Sequence, residues 1–303
     1  MEQKKKSFQE YPLYGWGGIG LIVLGLILTL TGVESVGKLF FPLGMTGYVL
    51  TLDACILWRK GESLLADRIG EFILMMIVSL LGWSLIEIYN QLLHNWKYVG
   101  LADYPIRKTL SLIWIYAMIF PAVFETYQAL DGIVILREYN AQDFKWLNGA
   151  WIFWSVLCGL IFLLIPIWFP GSWQMTLVLF GIILVLEPIN YTYERPSLVS
   201  VWQQGHRERV DLLILSGVVF GIVIEMINLF AGFRVLHLGP FGYATWLGGI
   251  PFLRFMLYGL LALVVFEMFS AMTGYPGCES YQHPLFKEEG TNNKKNGYLS
   301  LKS

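Results

Sequence analysis

The chain is 303 residues long, 56% hydrophobic and only 14% charged, with a net charge of −1. Soluble proteins carry about 25% charged residues, so a soluble enzyme and a disordered chain are excluded. A nucleic-acid binder is excluded as well, because it would need a basic surface. What remains is an all-α polytopic membrane protein. At roughly 20 apolar residues per span, the length accommodates eight helices with short loops.

Residues 1–14 carry Lys4, Lys5 and Lys6 and read as a cytoplasmic N-terminal segment. The apolar run Gly15–Val33 is too long for a signal-peptide core and has no Ala-x-Ala site, so it is expected to be a retained first helix. Seven further spans are expected at Phe40–Trp58, Phe72–Leu93, Thr109–Leu130, Trp146–Phe169, Trp173–Asn190, Leu212–Gly232 and Gly249–Met272. Pro42, Pro166, Pro170 and Pro251 fall near expected helix ends. Pro121 and Pro188 fall inside and are expected to kink their helices. Trp146–Leu186 holds 41 residues without a charge, and Pro166, Pro170 and Gly171 divide it into two spans. Residues 276–303 read as a flexible cytoplasmic tail. Cys55 and Cys158 lie in apolar runs where packing is their expected role, and no metal-type cysteine pair exists.

Basic residues set the orientation. With both termini in the cytoplasm, 15 Lys or Arg fall in cytoplasmic segments and 5 in outer loops. The expected location is a bacterial or archaeal cytoplasmic membrane, with membrane lipid as the constant partner.

The chain also reads as two parallel four-helix repeats, residues 15–135 and 136–275. Glu87-Ile-Tyr-Asn90 in the third helix matches Glu225-Met-Ile-Asn228 in the seventh. Val123-Phe124-Glu125 matches Val265-Phe266-Glu267, with Tyr116 and Tyr258 nine residues before each acid. An even number of helices per copy gives both copies the same orientation, so a pseudo-two-fold axis along the membrane normal is expected.

Six expected spans contain an acid: Asp53, Glu87, Glu125, Glu187, Glu225 and Glu267. The first and fifth spans contain none, so the acid pattern repeats as well. Six unpaired mid-membrane acids would cost on the order of 15–20 kcal/mol, more than a typical folding stability of about 5–15 kcal/mol. They are expected to hold protons, partners, interfacial positions or a cation. Arg254 is the one basic residue well inside an expected span and cannot neutralise all six. Counting along the helices puts Glu87 and Glu225 in the outer third and the other four in the inner third. Glu87, Asn90, Gln91 and His94 stand at i, i+3, i+4 and i+7 and form one polar stripe. Such stripes must face protein or a cavity. A Glu-x-x-Asn pattern lacks the histidine of di-iron bundles. No metal site is expected, though oxygen-only ligands would suit a hard cation such as Na⁺, Mg²⁺, Ca²⁺ or Mn²⁺. No phosphate-binding, dinucleotide, zinc-protease or nucleophile-elbow motif occurs.

The second copy continues from Glu225 through Gly239-Pro240-Phe241-Gly242-Tyr243 to Gly248-Gly249-Ile250-Pro251. It resembles the helix-loop-helix of integral-membrane carotenoid enzymes, the small lycopene cyclases and carotenoid hydratases. In the first copy Glu87 leads into Asn95-Trp96-Lys97-Tyr98-Val99-Gly100 and then Pro105 in similar outline. The cyclases carry paired acids after that proline and three helices per repeat. Here Phe252, Leu253 and Arg254 follow Pro251. The resemblance implies a class of chemistry, protonation of an isoprenoid double bond, without transferring a catalytic residue.

Three readings follow. A cofactor-independent acid/base enzyme acting on an isoprenoid or other lipid would use Glu87, Glu225, Asn90 and Asn228, with Glu125 and Glu267 as partners or a second pair. It requires a lipid-accessible cavity lined by aromatics. A cation- or proton-coupled transporter would use the same glutamates with Asp53, His94, Glu187 and Arg254 along its path, and requires an aqueous route. A structural or assembly subunit would enclose no cavity.

Overall fold

The computed structural model describes residues 10–32, 34–99, 105–134, 147–171, 174–232, 234–236, 245–246 and 250–274. Among these, eight helices are long and apolar enough to cross a membrane. They are α1 (Leu13–Leu30), α2 (Glu34–Lys60), α4 (Ile69–Leu93), α5 (Pro105–Leu130), α6 (Gly149–Trp168), α7 (Met175–Thr192), α9 (Arg207–Ala231) and α10 (Phe252–Thr273). Two short helices, α3 (Leu64–Asp67) and α8 (Leu198–Gln203), sit in turns that the hydropathy pattern leaves as loops. Short strands β1 (Trp96–Tyr98), β2 (Arg234–Leu236), β3 (Thr245–Trp246) and β4 (Ile250–Pro251) complete the elements. The expected tail, the lysines at 4–6, His237, His283 and the Gly239–Tyr243 loop lie outside the described residues.

Helix α2 begins at Glu34, six residues before the expected Phe40, so Pro42 lies inside it rather than at its start. Pro121, Pro166 and Pro188 are also internal, in α5, α6 and α7. Helix α5 opens on Pro105, where the missing N–H costs nothing. Helices α4 and α9 stop in the same way. His94 and Gly232 both turn into the left-handed region, at φ 53° and 57°, and their N–H groups bond the carbonyls of Asn90 and Asn228 at 2.8 Å. Glycine adopts this cap freely, whereas at His94 a residue with a Cβ takes the left-handed conformation at a cost.

The packing of α1–α5 is matched by that of α6–α10. Helix α1 packs on α2, α4 on α5 and α2 on α5; α6 packs on α7, α9 on α10 and α7 on α10. In each half the outermost helix approaches its neighbour through a glycine pair. A Cβ on Gly47 would stand 2.6 Å from the Gly18 carbonyl oxygen, and one on Gly181 would stand 3.0 Å from that of Gly159. Small residues of this kind let membrane helices approach where no hydrophobic force drives them together. The halves join where α9 meets α5 and α2 and where α10 meets α4. Helices α5 and α10 are therefore central, 72% and 67% buried in their apolar windows, while α1 and α6 are only 17% buried. Outer residues such as Trp16, Leu24, Trp154 and Trp168 are exposed, and in a membrane chain that surface meets lipid.

At one end of the bundle β1 pairs with β2 antiparallel, with Trp96 opposite Leu236, Lys97 opposite Val235 and Tyr98 opposite Arg234. Each strand starts two residues past the left-handed cap of its helix. The first residue of one strand faces the last of the other, so the register is symmetric about Lys97 and Val235. This is compatible with the expected two-fold relation. We refer to this as the ribbon end. The opposite end, where α1 starts and α10 finishes, is the terminal end.

Candidate functional site

The six acids fall into two sets. At the terminal end Asp53 of α2 is fully buried and accepts three hydrogen bonds. They come from Tyr14 Oη at 2.6 Å, Ser63 Oγ at 2.8 Å and the Leu65 N–H at 2.9 Å. Ser63 also caps α3 by accepting from the Ala66 N–H. Glu125 of α5 lies within reach of the Asp53 carboxyl. It is fully buried, and neither of its oxygens receives a donor.

Helices α7, α8 and α10 hold a similar layout. Glu187 of α7 accepts the Leu198 and Val199 N–H groups, both at 2.9 Å. Ser197 caps α8 in a capping box with Ser200. Glu267 of α10 lies beside Glu187. Its Oε2 accepts from Asn190 Nδ2 at 2.7 Å, and its Oε1 has no partner. Each arrangement is flanked by an arginine on an α5 or α10 carbonyl: Arg59 bonds the Ala129 oxygen at 2.7 Å and Arg195 the Ala271 oxygen at 2.9 Å.

At the ribbon end the two halves differ. Glu87 of α4 is surrounded by neutral donors. Its Oε1 accepts from Asn90 Nδ2 and Gln91 Nε2, both at 3.0 Å. Its Oε2 accepts from Trp96 Nε1 at 3.2 Å and Tyr98 Oη at 2.9 Å. Tyr116 Oη reaches Tyr98 Oη at 3.4 Å. Glu225 of α9, 2% exposed, pairs with Arg254 NH1 at 3.1 Å and accepts from Tyr258 Oη at 2.5 Å.

A steric difference accompanies the difference in bonding. Gly221 of α9 lies directly against the Tyr258 ring, which any Cβ there would strike. In α4 the matching position is Trp83, which stacks on Trp96 with centroids 5.9 Å apart. Beside the glycine Tyr258 bonds Glu225 directly; beside the tryptophan Tyr98 bonds Glu87 and Tyr116 bonds Tyr98.

Tyr98 and Tyr258 both line a cavity of about 30 Å³ between the halves. Its other walls include Phe41, Met45, Trp83, Ile115, Phe220 and Ile224. The minimum for one water is about 10–15 Å³, so the cavity takes a water or two, or the tip of an apolar chain. The indole N–H of Trp83 is buried and has no partner.

Of the expected stripe on α4, Glu87, Asn90 and Gln91 are joined by hydrogen bonds. His94 is exposed at the helix cap. The Asn90 amide also clamps the ribbon: it accepts the Trp96 N–H at 2.9 Å and donates to the Trp96 carbonyl at 3.2 Å. Asn228 gives its carbonyl to the Gly232 cap and is half-buried. Sequence reasoning missed Tyr98, Tyr14 and Ser63 as partners of the acids, and Ser197 as the cap of the helix whose N–H groups Glu187 accepts. The serines carry a usable signal: each follows its acid, Asp53 or Glu187, by ten residues and precedes a leucine. Among the described residues no three His, Cys, Asp or Glu side chains come together as a metal site. No family model, curated protein or solved structure matches this chain.

Proposed function

We propose that this integral membrane protein is a cofactor-independent acid/base enzyme acting on an isoprenoid or another unsaturated lipid, with its reaction centre between Glu87 and Glu225. The observation that carries this reading is the cavity, walled by apolar and aromatic side chains and flanked by two tyrosines, each donating to one of these glutamates. A wholly polar route for ions would not present such walls. The reaction requires this cavity, now sized for one or two waters, to widen as the end group of a chain enters from the bilayer.

The two glutamates suit opposite roles. In its acid form Glu87 gives its proton to the Tyr98 oxygen as the Tyr98 hydroxyl proton passes to one carbon of the double bond, and the Asn90, Gln91 and Trp96 donors hold the carboxylate left behind. Positive charge then forms on the other carbon, where the ring faces of Trp83, Phe41 and Phe220 stabilise it. Glu225, paired with Arg254, takes a proton from a neighbouring carbon through Tyr258. One proton enters and one leaves, so the net change is an isomerisation or cyclisation that needs no cofactor. Water attack on the cation in place of proton loss gives hydration instead. Asn90 and Gln91 position Glu87.

In this reading the halves are repeats about an axis through the ribbon, and both termini face the cytoplasm of a bacterial or archaeal cell. The distribution of 15 basic residues against 5 supports that orientation. Mass spectrometry of lipids co-purifying with wild-type protein and with Glu87→Gln/Glu225→Gln tests the function. An enriched unsaturated lipid whose substrate-to-product ratio changes in the variant is expected. No enriched lipid, with cation or proton flux in proteoliposomes, would replace this reading with the transporter. Neither lipid nor flux would leave an assembly subunit.

A further inference from the structure

The terminal-end acids take no part in the proposed reaction, yet their hydrogen bonding is unbalanced in the same way in both halves. Asp53 is saturated by three donors, whereas Glu125 beside it has two buried oxygens and no donor. Glu187 is held by two backbone N–H groups, whereas Glu267 keeps an unpartnered Oε1. Asn190, fully buried and donating to Glu267, has an unpartnered Oδ1 as well. Orphan acceptors of this kind are rare in folded proteins and cost about 1–3 kcal/mol each, more when charged.

We propose that Asp53–Glu125 and Glu187–Glu267 are two proton-binding sites, each holding one proton between its carboxyls. A single proton turns an orphan acceptor into a donor directed at the neighbouring carboxyl, which lies within reach in both halves. It also halves the buried charge of the pair. The hydrogen bonds choose which member keeps the charge. Asp53 and Glu187 own the donors; Glu125 and Glu267, with the orphan oxygens, carry the proton. The groups facing Glu125 are the Tyr14 and Tyr48 hydroxyls, with Lys60 and Arg68 farther off. Lys60 is engaged by Asp131 and Arg68 by Glu71, so neither cation replaces the proton. The proposal is independent of the reaction at the ribbon end.

Infrared spectroscopy of the full chain in lipid nanodiscs tests it. Wild type is expected to show the carbonyl stretch of neutral carboxylic acids at neutral pH. Glu125→Gln and Glu267→Gln should each remove one component and Asp53→Asn should leave a shifted one. Each Gln variant should keep the wild-type unfolding midpoint, because its amide N–H replaces the bound proton as donor. Glu125→Ala should lower that midpoint. A carbonyl stretch unchanged by both Gln variants would overturn the proposal. So would a stretch absent in wild type that appears only when Na⁺ is withdrawn, since a metal cation would then occupy the site.

Discussion

The two ends of the bundle treat their acids in opposite ways. At the terminal end Asp53 and Glu187 each tie down the short helix that follows, α3 or α8, and each stands beside a fully buried glutamate. At the ribbon end Glu87 has only neutral donors among its bonds, whereas Glu225 has acquired Arg254. An arrangement kept alike in both halves serves what both halves need, a turn fixed against the bundle. An arrangement that differs between halves serves something each half does separately. The cavity lies beside the residues that differ.

The largest effect should come from the tyrosines that link the cavity to the glutamates. Tyr98→Phe and Tyr258→Phe each remove one hydroxyl and should lower turnover of the co-purified lipid by about 10²–10⁴-fold. Equal losses would mean both halves work in every turnover; loss in one alone would put all the chemistry in that half. Next in size, Glu225→Ala leaves Arg254, 14% exposed on its side chain, without its partner. Breaking a buried pair costs about 3–5 kcal/mol. Glu87→Ala removes bonds to neutral groups and should cost about 1–3 kcal/mol. Denaturant unfolding of the two variants in micelles measures that gap, and similar losses would contradict the asymmetry.

Smaller effects probe the steric difference and the terminal end. Gly221→Trp gives α9 the side chain α4 carries at Trp83 and should drive Tyr258 away from Glu225, at about 1–3 kcal/mol of overpacking strain. Tyrosine fluorescence together with unfolding follows both consequences. Ser63→Ala and Ser197→Ala each lose a helix cap at about 1 kcal/mol, and Ser63→Ala should cost more because it also removes a donor to Asp53. Thermal unfolding that finds one serine indispensable and the other silent would break the likeness of the terminal ends.

The spans were readable because lipid demands long apolar runs, and the acids stood out against them. Their boundaries shifted where charge masks helix. Glu34 and Lys38 hide the first turn of α2, and Arg207, Glu208, Arg209 and Asp211 hide that of α9, since charged residues at a membrane edge still form helix. Helices α3 and α8 escaped notice because four and six residues show no periodicity, although the spacing from acid to serine marks both. The pairing of β1 with β2 left no trace. Three-residue strands carry no pattern, and the partner lies over a hundred residues away. Tyr98 was invisible as a site residue for that reason, since the turn after His94 carries it back to Glu87. Depth along the helices did separate the two sets of acids correctly, because each helix crosses once and its direction follows from the one before.

Deuterium uptake from solvent tests the central claim most directly, because every lipid in the membrane is screened at once and the substrate need not be identified beforehand. Membranes containing the full chain are incubated in D₂O and their extracted lipids weighed by mass spectrometry. Proton delivery by Glu87 and removal by Glu225 predict carbon-bound deuterium in one class of unsaturated lipid, absent with Glu87→Gln/Glu225→Gln. No deuterium in any lipid, or equal uptake with the double variant, would contradict an acid/base reaction at this site.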